Sequence, residues 1–341
     1  MSTVNVAIVG VGFMGATHIK AYRQVPGARI AAICDAARLP LDGDLSNIAG
    51  NIGSAEPLKL DMTQTKATKN LDDLLNDPEI DLIDLCVPTH THPKLAAAAL
   101  KSGKHVICEK PLARTSALAR DIVKAAESAK GFFMVAHCIR FWPEYAWLKQ
   151  AIVANTYGKV LAARFRRVCE PPLWTKDYMD GAKSGGAMME LHIHDVDFVQ
   201  YCFGRPKAVF ATGFSKLSGA PDHIVAQFTV AGGAAVSAEG GWAMTGGFGF
   251  NMEYTVQFEN ATADFTLARG AEPLRLFEKG QPARAIKPPG GDGYIGELSH
   301  MVESIRAKKA PTVVTARDGA SAVEICEAEE KSIQTGKVVT L

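Results

Sequence analysis

No charge of one sign dominates this 341-residue sequence: 37 lysines and arginines face 36 aspartates and glutamates, a formal net charge of +1 at pH 7. The basic footprint that nucleic-acid binding or an anionic membrane surface would require is therefore not expected. Long hydrophobic runs are missing too, so no membrane-spanning helix is predicted. Nor does a basic-then-apolar leader precede the first strand, and a cytoplasmic location is the expectation. The seven cysteines, at positions 34, 86, 108, 138, 169, 202 and 326, include no Cys-x-x-Cys pair. Most sit in apolar runs, where cysteine packs as a small hydrophobe, so neither disulfides nor structural zinc are expected. Internal repeats and low-complexity tracts are absent from the pattern as well.

What is present is an ample core, with 47% hydrophobic residues, on a chain longer than one ordinary domain. The most informative stretch is Gly10-Val11-Gly12-Phe13-Met14-Gly15, directly behind the apolar run Val4 to Val9 and followed by Asp35. Three glycines at this spacing become specific when a strand precedes and a helix follows, as Ala16 to Gln24 does here. The first glycine permits the tight turn, the second admits a pyrophosphate, and the third lets helix and strand pack closely. The helix amides then face the phosphates. Gly10, Gly12, Phe13, Met14 and Gly15 are thus candidate cofactor residues. Asp35 ends a second strand, Ile30 to Cys34, where a carboxylate accepts from the ribose hydroxyls and repels an added phosphate. That favours NAD over NADP, while Arg38, able to meet an adenine face or a phosphate, keeps NADP open.

Strands and helices alternate over roughly the first 127 residues, as in a doubly wound parallel sheet. Leu71 to Leu75, Pro93 to Lys101 and Ser116 to Ser128 read as helices, and Ile80 to Val87, His105 to Cys108 and Phe132 to Ala136 as buried strands. Between Ala36 and Asn70, Pro40, Gly43, Gly50, Gly53 and Pro57 interrupt the pattern. After a helix from Pro143 to Ala154, period-two runs recur at Val160 to Cys169, Ala208 to Phe214, Ile224 to Val230, Ala234 to Gly240, Met252 to Phe258, Thr262 to Leu267 and Leu274 to Phe277. Helices are expected at Ala187 to Tyr201, Ile295 to Ala307 and Ala316 to Thr335. The predicted architecture is an N-terminal α/β Rossmann dinucleotide-binding domain, residues 1–127, followed by an α+β domain, residues 128–341, on a large, mostly antiparallel open sheet.

Cys108-Glu109-Lys110-Pro111 falls at the carboxyl end of a parallel strand, the edge where open α/β sheets place ligands. An ammonium beside a hydroxyl undergoing oxidation stabilises the developing alkoxide and can pass a proton, and Glu109 can steer it. Trp174, Tyr178 and Lys183 lie on an irregular stretch, and an aromatic face with a cation suits a pyranose or cyclitol.

The glycine fingerprint, Cys86-Val87-Pro88-Thr89-His90-Thr91-His92, Gly103 to Leu112 with its Glu109-Lys110-Pro111, and Gly185 to Asp195 together resemble the Gfo/Idh/MocA family, the glucose-fructose oxidoreductase and inositol dehydrogenase relatives. The resemblance spans essentially the whole chain, including the closing helix Glu324 to Gly336. It implies a nicotinamide-dependent oxidoreductase acting on a sugar, inositol or related polyol in the cleft between the domains. The family's catalytic lysine maps onto Lys110 and its catalytic histidine onto His194. An aspartate is usual four residues before that histidine, and here Glu190 takes the place. Residues four apart share a helix face, so Glu190 and His194 converge while His192 points elsewhere. His194 is assigned as general acid/base with Lys110 orienting the reacting oxygen, and which of the two moves the proton stays open.

Resemblance also implies cofactor contacts from Pro88, Thr89 and His92, with Glu109 and Lys110 beside them, and an arginine near the active site at Arg140. His90 reads as a solvated turn residue. The substrate set is then Lys110, Arg140, Trp174, Lys183, Glu190 and His194. A metal at His192, His194, Asp195 and Asp197 is not expected, because ligands two apart diverge on a helix. The family's open sheet face implies a homodimer or homotetramer. Two other readings remain: an NAD-dependent glycosidase or interconverting oxidoreductase that retains its cofactor, and a non-catalytic NAD-dependent sensor.

Overall fold

Apolar runs near the N-terminus form a parallel sheet. In the computed structural model, residues 3–48 and 57–341 are described; Gly50 and Gly53, two of the expected interruptions, lie outside them. In chain order come β1 (Val4–Val9), α1 (Phe13–Tyr22), β2 (Ala28–Cys34), β3 (Lys66–Thr68), α2 (Leu71–Leu75), β4 (Leu82–Leu85), α3 (His92–Lys101), β5 (His105–Glu109), α4 (Ser116–Ser128) and β6 (Phe133–Ala136). The six strands pair in the order β3-β2-β1-β4-β5-β6, every neighbour parallel. Strand order reverses between β1 and β4, which is the switch point where such sheets bind ligands. Val6, Ile8, Ile33, Leu82, Ile83, Val106, Ile107, Met134 and Val135 are all fully buried. Strands enclosed on both faces need such continuous apolar runs, and each aliphatic side chain withdrawn from water contributes about 1.5–3 kcal/mol.

Turn chemistry sets the helix starts. The Asn70 side chain caps α2 through the Asp72 amide, and Thr115 caps α4 through the Leu118 amide. Each such cap satisfies a helix-end donor and contributes about 1 kcal/mol. The short strand β3 was not expected from the sequence: at three residues with exposed and half-exposed positions, it carries no hydrophobic period.

A second sheet follows, built from β7 (Val160–Cys169), β8 (Ala208–Phe214), β9 (His223–Thr229), β10 (Ala235–Gly241), β11 (Phe250–Phe258), β12 (Ala261–Thr266), β13 (Leu274–Glu278), β14 (Arg284–Ile286) and β15 (Val339–Thr340). Its nine strands run in the order β14-β13-β12-β11-β7-β10-β9-β8-β15. All pairs are antiparallel except β7 with β10, which is parallel. The helices of the second half are α5 (Pro143–Val153), the short α6 (Gly181–Ser184), α7 (Ile193–Phe203), α8 (Gly293–Ala307) and α9 (Ala316–Thr335). Tyr145 on α5 packs edge-on against Phe198 on α7 at 4.9 Å and against Tyr254 on β11 at 5.1 Å, which fixes those helices on one face of the sheet.

The opposite face carries alternating exposed residues. Phe210, Phe214, Val225 and Phe277 are 36%, 42%, 43% and 44% exposed. Between them Arg166 pairs with Glu239 at 3.0 Å, and Arg164 pairs with Glu253.

Two compact units result, one comprising residues up to Cys138 with Asp292–Ala320, the other Ile139–Gly291 with Ser321–Leu341. The single boundary expected after residue 127 is thus displaced, because β6 completes the first sheet and α8 returns to it. α8 packs on α1, and its N-terminus is capped by Asp292, which accepts from the Ile295 amide at 2.9 Å. No helix among the described residues is long and apolar enough to cross a membrane.

Candidate active site

Each glycine of the first turn has its own steric reason. Gly10 has φ +90°, and a Cβ there would stand 2.5 Å from the Cys86 carbonyl oxygen. A Cβ on Gly15 would meet the Gly10 oxygen at 2.0 Å, whereas at Gly12 nothing lies within 4 Å. The turn is therefore closed beneath and open at Gly12, where α1 begins without a side-chain cap. The Asp35 carboxylate is brought against this turn, accepting the Val11 amide at 3.0 Å and the Ala37 and Arg38 amides at 2.9 and 2.7 Å. Arg38 itself is exposed.

Beyond β4, Thr89–Thr91 form a tight turn in which Thr91 donates through both its amide and its hydroxyl to the Pro88 carbonyl. Thr89 is buried and His90 exposed. His92 opens α3 fully buried, with Nδ1 2.9 Å from the Pro111 carbonyl oxygen and Nε2 2.9 Å from that of Val87. It ties the turn after β4 to the turn after β5.

At the end of β5 the sequence places a lysine, and the structure surrounds its predecessor with a buried polar cluster that sequence reasoning missed. One Glu109 oxygen accepts the Lys110 amide at 3.0 Å; the other lies 3.0 Å from His18 Nε2. His18 Nδ1 lies 2.8 Å from Asp84. Glu297 on α8 approaches His18 Nε2 at 3.7 Å. His18, Asp84 and Glu297 are completely enclosed, and Glu109 nearly so. Burial works against a charge on His18, yet the neighbouring Asp84 and Cys86 hold its pKa well above the ordinary value. Burial likewise pushes Glu109 up, but the hydrogen bond and charge of His18, with the charge of Lys110, bring it below the usual carboxylate value. Glu297 is pushed well up by burial and by the charges of Glu109 and Asp84, only partly offset by His18. His18 and Tyr22 stand four apart on α1, both buried. That spacing places them on one face, the only hint of the cluster in the sequence.

In the second unit, Met188–His192 forms a wide turn in which the Ile193 amide reaches back five residues to the Met188 carbonyl, and α7 continues from it. The sequence predicted one uninterrupted helix here. Turns of this i-to-i+5 kind recur at functional sites. Its anchors are polar and buried. His192 Nε2 lies 3.2 Å from Glu329, and a Cβ on Gly240 would press into its ring at 2.5 Å. Burial opposes a charge on His192, but Glu329 raises its pKa above the ordinary value. Asp195 forms a two-pronged pair with Arg167 at 2.9 and 3.2 Å. Asp197 does the same with Arg140 at 2.8 and 2.7 Å.

With His192, Asp195 and Asp197 turned inward, Glu190 and His194 are left half-buried on the remaining side. Support comes from the loop between β8 and β9. Buried Asp222 accepts from the Lys216, Leu217 and Ser218 amides and from the Trp242 indole, and the loop in turn accepts the Gly181 and Met188 amides.

The expected substrate residues divide. Arg140 is buried, its Nε and Nη2 donating to Asp197 and its guanidinium 4.4 Å from the Tyr201 ring centroid. Trp174 is 38% exposed, while Tyr178 stacks on Trp242. Lys183 is exposed and paired with Asp180 at 3.0 Å.

Residues 4–137 match the model of an oxidoreductase family with an NAD-binding Rossmann fold, and residues 145–264 match the Gfo/Idh/MocA C-terminal domain. The chain belongs to the Gfo/Idh/MocA family. Among Gfo/Idh/MocA relatives, it is 28% identical to the inositol 2-dehydrogenase of Mycolicibacterium smegmatis over 361 residues, covering 99% of this chain and 96% of that one. It is also 28% identical to the levoglucosan dehydrogenase of Pseudarthrobacter phenanthrenivorans over 219 residues, a match spanning 62% of this chain and only 54% of that protein. A solved levoglucosan dehydrogenase, in complex with NADH and levoglucosan, shares the fold with a TM-score of 0.85 at 21% identity over 99% of both chains.

Proposed function

We propose that this Gfo/Idh/MocA protein transfers a hydride between nicotinamide and a carbinol carbon of a sugar, inositol or related polyol, with NAD preferred to NADP. The observation that carries the reading is the common edge of the first sheet. The glycine turn, Asp35, the Thr89 turn and Lys110 follow the carboxyl ends of β1, β2, β4 and β5. The glycine turn fits a dinucleotide: a side chain is barred from below at Gly10 and Gly15, and space is open at Gly12. Bound there, the cofactor supplies a nicotinamide ring that accepts or returns the hydride.

The chain's own groups do the rest. The first-turn amides of α1, at Phe13, Met14 and Gly15, hold phosphate oxygens, and Asp35 accepts from ribose hydroxyls. Pro88 and Thr89 line the cofactor, while His92 acts from beneath by tying the two turns. Lys110 donates to the reacting oxygen and stabilises its developing charge, and His194 takes or returns the hydroxyl proton. Glu190 orients the histidine or a substrate hydroxyl. Trp174 and Lys183 meet the sugar ring. Arg140 belongs with the supports of α7, because its charge is already matched by Asp197. The relatives named as inositol and levoglucosan dehydrogenases support the substrate class.

The test is a screen of inositols, aldoses and their lactones with NAD and NADP, following the absorbance of reduced nicotinamide. Turnover of at least one polyol or sugar with NAD is expected; purified protein that reduces neither cofactor with any of them rejects the reading. In this proposal the enzyme is cytoplasmic, and a second copy covers the exposed face of the nine-stranded sheet as a homodimer or homotetramer. Light scattering that finds only monomer at micromolar concentration rejects the assembly.

A further inference from the structure

We propose that His18 is a positioning residue for Lys110. It is held between Asp84 and Glu109 and fixes the Glu109 carboxylate, whose second oxygen accepts the Lys110 amide. The inference rests on the proposed catalytic role of Lys110 and extends it inward by two side chains.

The geometry is a chain of close polar contacts between charged groups rather than apolar packing. Asp84 stands 2.8 Å from Nδ1, Glu109 stands 3.0 Å from Nε2, and Glu109 reaches the Lys110 amide at 3.0 Å. An imidazole with a carboxylate within 3.0 Å of each nitrogen is matched to both as an imidazolium. The cluster satisfies the rule that buried charges are paired: one cation lies between two carboxylates, and the Lys110 charge also acts on Glu109. Glu297, 3.7 Å from Nε2, is a third carboxyl in the same enclosure. Three ionised acids around one imidazole would leave a dry site with unbalanced charge, so Glu297 is held in its neutral form. The pKa directions of His18, Glu109 and Glu297 described above agree with this distribution.

The same atoms could be read as metal ligands, since His18, Glu109 and Glu297 offer donor atoms within 4.8 Å of one another, as do His18, Asp84 and Cys86. Both imidazole nitrogens, however, already stand at hydrogen-bond distance from carboxylates. A coordinated nitrogen would be about 2.0–2.1 Å from zinc and could not also donate a proton.

The relay matters because it links the end of β5, through side chains, to α1 and β4 in the packed interior. The amide of Lys110 fixes the start of that side chain, and a shift of about 1 Å at a reacting group can cost about a hundredfold in rate. His18 therefore affects turnover without touching substrate.

The experiment compares two His18 variants of the full chain. In His18→Gln the side-chain amide nitrogen stands near the former Nε2 and keeps the polar contact with Glu109. In His18→Asn it stands near Nδ1 and keeps only the donation to Asp84. Loss of kcat by about tenfold or more is expected in His18→Asn and in Glu109→Gln, with KM and the NADH dissociation constant within about twofold of wild type. His18→Gln is expected to retain at least about a third of turnover, and the double variant His18→Asn/Glu109→Gln to be no worse than the poorer single. Equal kcat in the two His18 variants, or losses that multiply in the double variant, overturns the proposal. Should His18→Asn fail to fold, His18→Gln against Glu109→Gln decides: loss only in the second supports the relay, and equal kcat overturns it. Lys110→Ala, measured alongside, separates the two levels. Full turnover in Lys110→Ala rejects the role of the lysine itself, whereas its loss with His18→Asn unaffected rejects only the relay.

Discussion

The Asp35 carboxylate accepts the Val11 amide at 3.0 Å, so the acid that ends β2 is bonded into the glycine turn that ends β1. Its other oxygen accepts the amides of Ala37 and Arg38. Three backbone donors hold one negative charge at the place where a dinucleotide ribose is proposed to sit, so cofactor choice becomes a property of a fixed charge. Replacing it, as Asp35→Ser, is expected to raise the ratio of kcat/KM with NADP to that with NAD by about tenfold or more, because a like-charge penalty against the phosphate is removed and Arg38 remains. Steady-state kinetics with both cofactors check this, and an unchanged ratio rejects Asp35 as the discriminating charge.

Lys110→Ala and His194→Ala are each expected to lower kcat by about a hundredfold or more, with the NADH dissociation constant within about twofold. Groups that act as a unit are not additive, so the double variant should lose far less than the product of the two effects. Fluorescence titration of NADH and stopped-time assays of the same preparations check both halves. Undiminished turnover in either single variant removes that residue from the mechanism.

Much of the scaffold is legible in the sequence, for identifiable physical reasons. Val4 to Val9, Ile30 to Cys34 and His105 to Cys108 are buried over most of their length on both faces, so their burial is written as nearly continuous apolar runs. The period-two pattern of β8 and β9 reflects a sheet with one covered face. β3 left no trace because three residues at a sheet edge bury too little to impose a pattern. The parallel pairing of β7 with β10 was hidden because periodicity shows which way a side chain faces, not which way its neighbour strand runs. The wide turn at Met188–His192 reads as ordinary helix because one extra residue per turn barely shifts the phase over five positions. His18 escaped notice since its partners come from β4, β5 and α8, and Asp222 because its partners are mostly backbone amides, which no side-chain pattern records. Arg140 was expected as an arginine near the active site, not as the buried partner of Asp197.

Asp222 makes a pH-dependent contribution to stability. Burial alone would raise its pKa; the Leu217 and Lys216 amides, the Ser218 hydroxyl and the Trp242 indole together hold it below the ordinary value of 3.8. A depressed carboxylate stabilises the fold fully above its unfolded pKa, and that stabilisation is lost as pH falls through the lower folded value. Asp222→Asn is therefore expected to cost about 1–3 kcal/mol at pH 7, with the difference from wild type shrinking as pH is taken below 3.8. Urea melts across that range check it. A deficit that stays constant into acid would assign the loss to shape instead of charge.

Arg140 and Asp197 form a buried, two-pronged pair beneath α7. Removing one partner strands the other, so Arg140→Met and Asp197→Leu should each destabilise by about 3–5 kcal/mol, while the double variant recovers at least about half of that. Denaturant unfolding of the three proteins measures it. If Arg140→Met melts like wild type yet raises KM for substrate, Arg140 is a ligand-binding group after all.

The return of Asp292–Ala320 to the first unit has a consequence for how the protein is made. On the ribosome, the partner surface of α1 stays bare until α8 emerges, by which time most of the chain has been synthesised. Until then His18 lacks the neighbours that α8 supplies, the Tyr294 ring 6.3 Å from its own and the Glu297 carboxylate 3.7 Å from Nε2. The first unit begins before the second in the chain yet is completed after most of it, and a fragment ending at Cys138 would carry the cofactor turn without the wall behind it.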